Sequence, residues 1–227
     1  MKSKRQLPTF GQLLFPSRCI ICRNVIGLSD FICPDCARKL PYVTIQTPVH
    51  GDCFEACYAP FYYEEPLRTS FLRYKFNGFR HYAQHYGAWM ADYLLRESAV
   101  DFDLVTWCPI SFLRRMKRSY DQSELLAQVI ADRLSLPLEA TLRKAHRKPL
   151  SRSGGDKATR AAILLGAYSV KPEVSIQGKR ILLVDDIVTT GSTLSECARM
   201  LKTAGASEVT CITLARKRSG GQDNAEE

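Results

Sequence analysis

From Asp101 onward the chain alternates short apolar runs with amphipathic stretches. The segments "FDLVTWC" (102–108), "KRILLVDD" (179–186) and "EVTCITLA" (208–215) are compact and mostly apolar, as strands are when both sheet faces are covered. "LPLEATL" (136–142) and "GAYSV" (166–170) read as shorter strands. In "SYDQSELLAQVIADRLSL" (119–136), Leu125, Leu126, Val129, Ile130 and Leu134 fall on one helical side, and Asp121 with Glu124 is spaced as a capping box. "STLSECARMLKTAG" (192–205) reads as a helix stopped by Gly205. Residues 143–162 are basic, contain glycine and lack a period, so a flexible loop is expected there; a disordered tail is expected over 217–227. Strands alternating with helices predict an α/β fold with a mainly parallel sheet flanked by helices.

The first part of the chain follows other rules. Residues 58–97 hold 12 of the 22 aromatics, a density that points to packing; the pattern is one strand and then two helices. Phe71, Leu72 and Phe76 share a helical face that ends at Asn77-Gly78, and the second helix is expected from about Tyr82 to Arg96. Arg68, Arg73, Lys75 and Arg80 are interleaved with these aromatics, leaving base stacking as an alternative use. Residues 46–57 read as a connector.

Residues 1–45 carry two C-x-x-C pairs, Cys19 with Cys22 and Cys33 with Cys36, separated by ten residues. Two intervening residues let both thiolates reach one tetrahedral ion, so the expectation is a closed structural Zn²⁺ site with four cysteine ligands; free thiols or a redox pair are the alternatives. So short a segment buries little core, and the metal would supply its folding energy. Cys53 and Cys57, with His50 nearby, fall short of a second site, and His81 and His85 have metal-compatible spacing without a carboxylate to complete a set.

No run approaches the ~20 apolar residues of a membrane span, and the opening stretch lacks a signal-peptide pattern, so a cytoplasmic location without a membrane span is expected. The net charge of +9 suits anionic partners such as phosphates, nucleotides or nucleic acid.

The sharpest chemical signal is "ILLVDDIVTTGSTL" (181–194). A buried strand delivers Asp185 and Asp186 to the ligand-binding edge of the sheet, and a Thr/Ser/Gly turn then opens a helix. Amides of that turn and hydroxyls of Thr189, Thr190, Ser192 and Thr193 can donate to a phosphate, with Gly191 letting the backbone come close. Two acids beside a phosphate grip suit a ligand with phosphate at one end and hydroxyls further on, as in ribose 5-phosphate. A helix cap alone leaves the paired acids unexplained. A phospho-receiver domain needs roughly 100 further residues, whereas 34 follow Thr193. Neither a Walker loop nor a dinucleotide fingerprint occurs.

"LLVDDIVTTGSTL" resembles the 5-phosphoribosyl 1-pyrophosphate (PRPP) motif of type I phosphoribosyltransferases. Together with the paired cysteines, "YYEEPLRTSFLRYKFNG" and "SYDQSELLA", it resembles the amidophosphoribosyltransferase-like ComF family over about residues 13–216. The resemblance implies a zinc head over 1–45 and a phosphoribosyltransferase-like domain over 58–216, with 58–97 as flanking helices or a hood. It implies that Asp185 and Asp186 hold the ribose hydroxyls and that Val188, Thr189, Thr190, Gly191, Ser192 and Thr193 cradle the 5-phosphate. Cys108, Pro109, Ile110 and Ser111, with Arg114 and Arg115, would form the pyrophosphate loop, and Arg147, Lys148, Arg152 and Arg160 would sit on the flexible loop. Mg²⁺ would accompany PRPP. Ser119-Tyr120-Asp121-Gln122 stands where the family has Gly-Phe-Asn-Gln, and Ser151 and Ile163 replace two amides.

The implied function is PRPP binding, with ribosyl transfer to an unspecified acceptor, linked to competence and DNA uptake. The alternatives are a non-catalytic adaptor for single-stranded DNA or a DNA-uptake helicase, and a PRPP-sensing regulator. The oligomeric state stays open, a dimer included.

Overall fold

The computed structural model describes residues 16–28, 30–44, 48–97, 101–145 and 166–218. In chain order, a short helix α1 (Pro34–Arg38) precedes strands β1 (Cys57–Tyr58) and β2 (Phe61–Tyr62), then helices α2 (Leu67–Phe76) and α3 (Tyr82–Glu97). Strand β3 (Leu104–Trp107), helices α4 (Phe112–Arg118) and α5 (Gln122–Leu134), and strands β4 (Leu142–Lys144) and β5 (Tyr168–Val170) follow. The last elements are β6 (Arg180–Val188), α6 (Ser192–Thr203) and β7 (Glu208–Arg216).

The main sheet is parallel throughout, in the order β1-β7-β6-β3, with β2 on the same edge of β7 as β1. Its strands are apolar for the reason their sequence suggests. Along β6, Leu182 and Val184 belong to the core under α2, α3 and α5, whereas Ile181 and Leu183 join the core under α6. All four are fully buried, each contributing about 1.5–3 kcal/mol relative to exposure.

Six large aromatics from the 58–97 region, Phe61, Tyr62, Phe71, Tyr74, Tyr82 and Tyr86, are fully buried. Packing, not base stacking, is what they do. The interleaved cations also face inward or pair locally. Arg73 donates to the carbonyls of Ile20 and Ile21, Arg80 lies 5.0 Å over the Tyr120 ring, and Arg68 reaches Glu65 at 3.5 Å. Arg73, with Ser70 donating to the Ile20 carbonyl, ties the cysteine-bearing segment to α2.

Three local expectations need correction. Arg143 and Lys144, expected in the 143–162 loop, lie in β4, antiparallel to β5, while 146–162 fall outside the described residues. Cys57, placed in the connector, pairs in register with Cys211 of β7. Lys217 and Arg218, assigned to the tail, are anchored: the Lys217 amide donates to the Val188 carbonyl at 3.0 Å, and Arg218 meets Glu64 at 3.0 Å. Arg147, Lys148, Arg152 and Arg160 lie outside the described residues.

Candidate functional site

Strand β6 does not stop before its acids. It runs through Asp185 and Asp186 to Val188, with Asp185 still in register with Thr213 of β7. The acids therefore sit on a rigid strand, not on a loop. Asp185 Oδ1 accepts from Ser123 Oγ at 2.9 Å and from the Asp186 amide at 2.8 Å. Asp186 Oδ2 lies 2.5 Å from Lys75 Nζ, with side-chain exposures of 24% for Lys75 and 17% for Asp186. Each acid thus keeps one oxygen, Asp185 Oδ2 and Asp186 Oδ1, without a partner among the described residues. Burial and the adjacent Asp186 charge push the Asp185 carboxyl up to about 7, against the opposing pull of the Asp186 amide, Ser123 and Lys75.

Past Val188 the chain turns at Thr189 and Thr190, and Gly191 (φ 75°) takes the N-cap position of α6. No side chain caps this helix and no acid stands in its first turn, so its leading amides carry the helix's positive end uncompensated. Thr190 Oγ1 and Ser192 Oγ lie 3.0 Å apart, Thr189 is exposed, and Thr193 is half-buried. A Cβ on Gly191 would meet open space. Five residues of the expected cradle, Thr189 to Thr193, are thus together and accessible, whereas Val188 is buried with its carbonyl held by Lys217.

Cys108 extends the β3 pairing, its amide donating to the Val184 carbonyl at 2.9 Å, and is buried. Pro109, Ile110 and Ser111 then turn toward α4, with Ser111 as N-cap. Arg114 is exposed, and its charge, after burial, helps push the Lys144 ammonium down. Arg115 instead meets Glu124 at 3.1 Å, so Glu124 is drawn outward and Asp121 caps α5, accepting from the Ser123 and Glu124 amides.

Lys75 and Ser123 escaped the sequence reading as site residues. Lys75 is delivered by a clamp between α2 and the start of α5: Tyr74 donates to the Gln122 carbonyl at 2.8 Å, Tyr120 donates to the Tyr74 carbonyl, and Gln122 Nε2 donates to the Lys75 carbonyl at 3.4 Å. Arg118 closes the set, donating to Gln122 Oε1 at 3.0 Å with its guanidinium 4.9 Å over the exposed Phe76 ring. No local periodicity carries this signal.

At the other end, the sulfur atoms of Cys19, Cys22, Cys33 and Cys36 lie within 4.8 Å of one another, and Cys22 and Cys33 are 3.8 Å apart. A tetrahedral ion with ~2.3 Å bonds to sulfur sets sulfurs about 3.8 Å apart, so the four fit Zn²⁺. Against burial, the amides of Cys22, Cys33 and Ile21 bring the Cys19 thiol down to about 7, whereas burial and the neighbouring thiols push the Cys36 thiol well up, so a metal's own charge would have to draw off its proton. Among the described residues no other such cluster occurs; His50 instead bonds the Glu55 carbonyl at 2.6 Å, and His85 stacks on Phe31.

A parallel sheet whose central strand carries two acids near its carboxyl end and leads into an uncapped helix, behind a four-cysteine cluster, defines a phosphoribosyltransferase-type domain with a zinc ribbon. Residues 121–226 match the phosphoribosyl transferase domain and residues 10–61 the double zinc ribbon domain. The chain thus carries a zinc-ribbon match followed by a phosphoribosyl transferase match. It is 25% identical to "Competence protein F" of Haemophilus influenzae, over 89% of this chain and 98% of that protein. It is 27% identical to "DNA utilization protein YhgH" of Salmonella typhimurium, over 90% of this chain and 99% of that protein. Among solved structures, the glutamine phosphoribosylpyrophosphate amidotransferase of B. subtilis is similar at 28% identity and a TM-score of 0.40, over 59% of this chain and 26% of that one. No helix among the described residues is long and apolar enough to cross a membrane.

Proposed function

We propose that the protein binds PRPP, with the 5-phosphate on the Thr189–Thr193 turn and the ribose hydroxyls on Asp185 and Asp186, and passes the phosphoribosyl group to an acceptor in a pathway of DNA uptake or use. The observation that carries this reading is the pair of unpartnered oxygens, one on each acid, beside the uncapped start of α6. Two adjacent acceptors suit a vicinal diol, and the amides suit the phosphate. Mg²⁺, when bound, would neutralise the departing pyrophosphate, held mainly by ligand oxygens and water because the described residues offer no carboxylate cage. Arg114, exposed beside the 108–111 turn, would face that leaving group. The acids keep negative potential near the ring as positive charge develops at C1. The name of one relative, a DNA utilization protein, supplies the link to DNA, and the name of the other supplies the link to competence. Calorimetry with PRPP and Mg²⁺ tests the reading: saturable binding is expected, and its persistence in a D185N/D186N double variant would overturn it. Pyrophosphate release across a panel of bases and amines then separates transfer from sensing.

One observation favours a second reading, a non-catalytic adaptor for single-stranded DNA. Helix α4 buries none of its residues and sets exposed Phe112, Leu113 and Met116 beside Arg114, Arg115 and Lys117. DNA binding that weakens steeply with salt and ignores D185N/D186N would support it.

A further inference from the structure

Resting on the ribose-phosphate reading above, we infer that Lys75 supplies the positive charge at the acid pair that a divalent cation would otherwise bring. The site then takes a 5-phosphorylated ribose with free 2- and 3-hydroxyls without any metal.

The geometry is specific. The Lys75 ammonium contacts one oxygen of Asp186 at 2.5 Å and leaves the other open. Ser123 and the Asp186 amide likewise occupy Oδ1 of Asp185 and leave Oδ2 open. The acids therefore enter the site already neutralised in part and turned, each offering one acceptor to a neighbouring hydroxyl. Lys75 is not a loose surface cation. Its backbone is held through Tyr74 and Gln122, and its Nζ lies 5.2 Å from the Phe71 ring centroid. A phosphate dianion a few residues along the chain would repel two bare carboxylates. An ammonium on a partly buried acid offsets that repulsion permanently, as a compact point charge. The same ammonium occupies one of the two oxygens through which Asp186 could hold a cation and sets a like charge beside the other, so metal ligation by this acid is disfavoured. Magnesium is then needed for a pyrophosphate, if one is present, and not for the sugar.

The test is calorimetry of zinc-loaded full-length protein with ribose 5-phosphate and 2-deoxyribose 5-phosphate. The buffer is freed of Mg²⁺ over a chelating resin before use, so that no chelator meets the cysteine cluster. Wild-type protein is expected to bind ribose 5-phosphate equally with and without added Mg²⁺, and to bind the deoxy sugar more weakly. In Lys75→Met, metal-free affinity should fall roughly tenfold to a hundredfold, the range for a charged hydrogen bond, while Lys75→Arg retains most of it. Thermal unfolding of Lys75→Met guards against a folding defect. Wild-type binding of ribose 5-phosphate only with Mg²⁺, or a Lys75→Met variant indistinguishable from wild type, overturns the role of Lys75 and leaves PRPP binding standing. Failure of wild-type protein to bind PRPP even with Mg²⁺ overturns the proposed function itself.

Discussion

Asp121 joins two loops: its Oδ2 accepts the amide of Ile110 at 2.9 Å, while its Oδ1 caps helix α5. One buried carboxylate thus fixes the turn after β3 against the helix that carries Ser123. Removing it in Asp121→Ala leaves three amides without this acceptor and should cost about 1–2 kcal/mol. For a chain of this size ~1 kcal/mol moves Tm by about 2–4 °C, which differential scanning calorimetry resolves. Burial holds the Asp121 carboxyl above its ordinary range. Asp121→Asn keeps one acceptor oxygen and turns an amide NH2 toward a backbone N–H that the second oxygen accepted, so it should recover only part of the loss seen in Asp121→Ala and stay below wild-type stability at pH 8.

Asp185 gives a pH dependence with a definite sign. Its folded-state carboxyl titrates near 7, above the ordinary value of 3.8. The folded chain therefore holds this proton more tightly than the unfolded one. Asp185 contributes to stability below about pH 4, and this contribution is lost as the pH rises through about 7. Asp185→Asn should raise Tm at pH 8 by several degrees and change it little at pH 4, while abolishing PRPP binding. Wild-type binding should strengthen between pH 6 and 8 as the acceptor oxygen ionises. An equal Tm shift at both pH values would sink the assignment.

Gly191 sits at φ 75° with open space where a Cβ would project. Gly191→Ala should lose about 1 kcal/mol from the left-handed backbone alone. If the phosphate lies over this turn, the methyl group meets the ligand, and PRPP affinity should fall far more than stability does. A loss of stability without a loss of affinity would place the phosphate elsewhere.

The zinc cluster reports through Trp89. Its ring lies 5.7 Å from Phe31, in the cysteine-bearing segment, and 5.2 Å from Phe61. One zinc per chain is expected by elemental analysis. Cys36→Ser should lose it, unfold the head and shift Trp89 emission to the red as its Phe31 contact is lost. Intact emission in metal-free protein would show that packing on α2 suffices without the metal.

Much of this molecule is written locally. Apolar runs covered on both faces mark β3, β6 and β7, because hydrophobic periodicity is a property of neighbours along the chain. The two C-x-x-C pairs announce a metal cluster, because tetrahedral ligation imposes short spacings. The stretch proposed to hold a ribose phosphate is contiguous, because one strand, one turn and one helix start place its acids and amides together. What surrounds the acids could not be read that way. Lys75 lies 111 residues from Asp186 and Ser123 lies 62 from Asp185, and the chain says nothing locally about which cation an acid will meet. The same holds for Arg73, whose interleaving with aromatics suggested a nucleic-acid surface but whose guanidinium clasps the backbone of the cysteine head. Charge and periodicity are legible residue by residue, whereas the pairing of distant polar groups is set by how the sheet, α2 and α5 pack together.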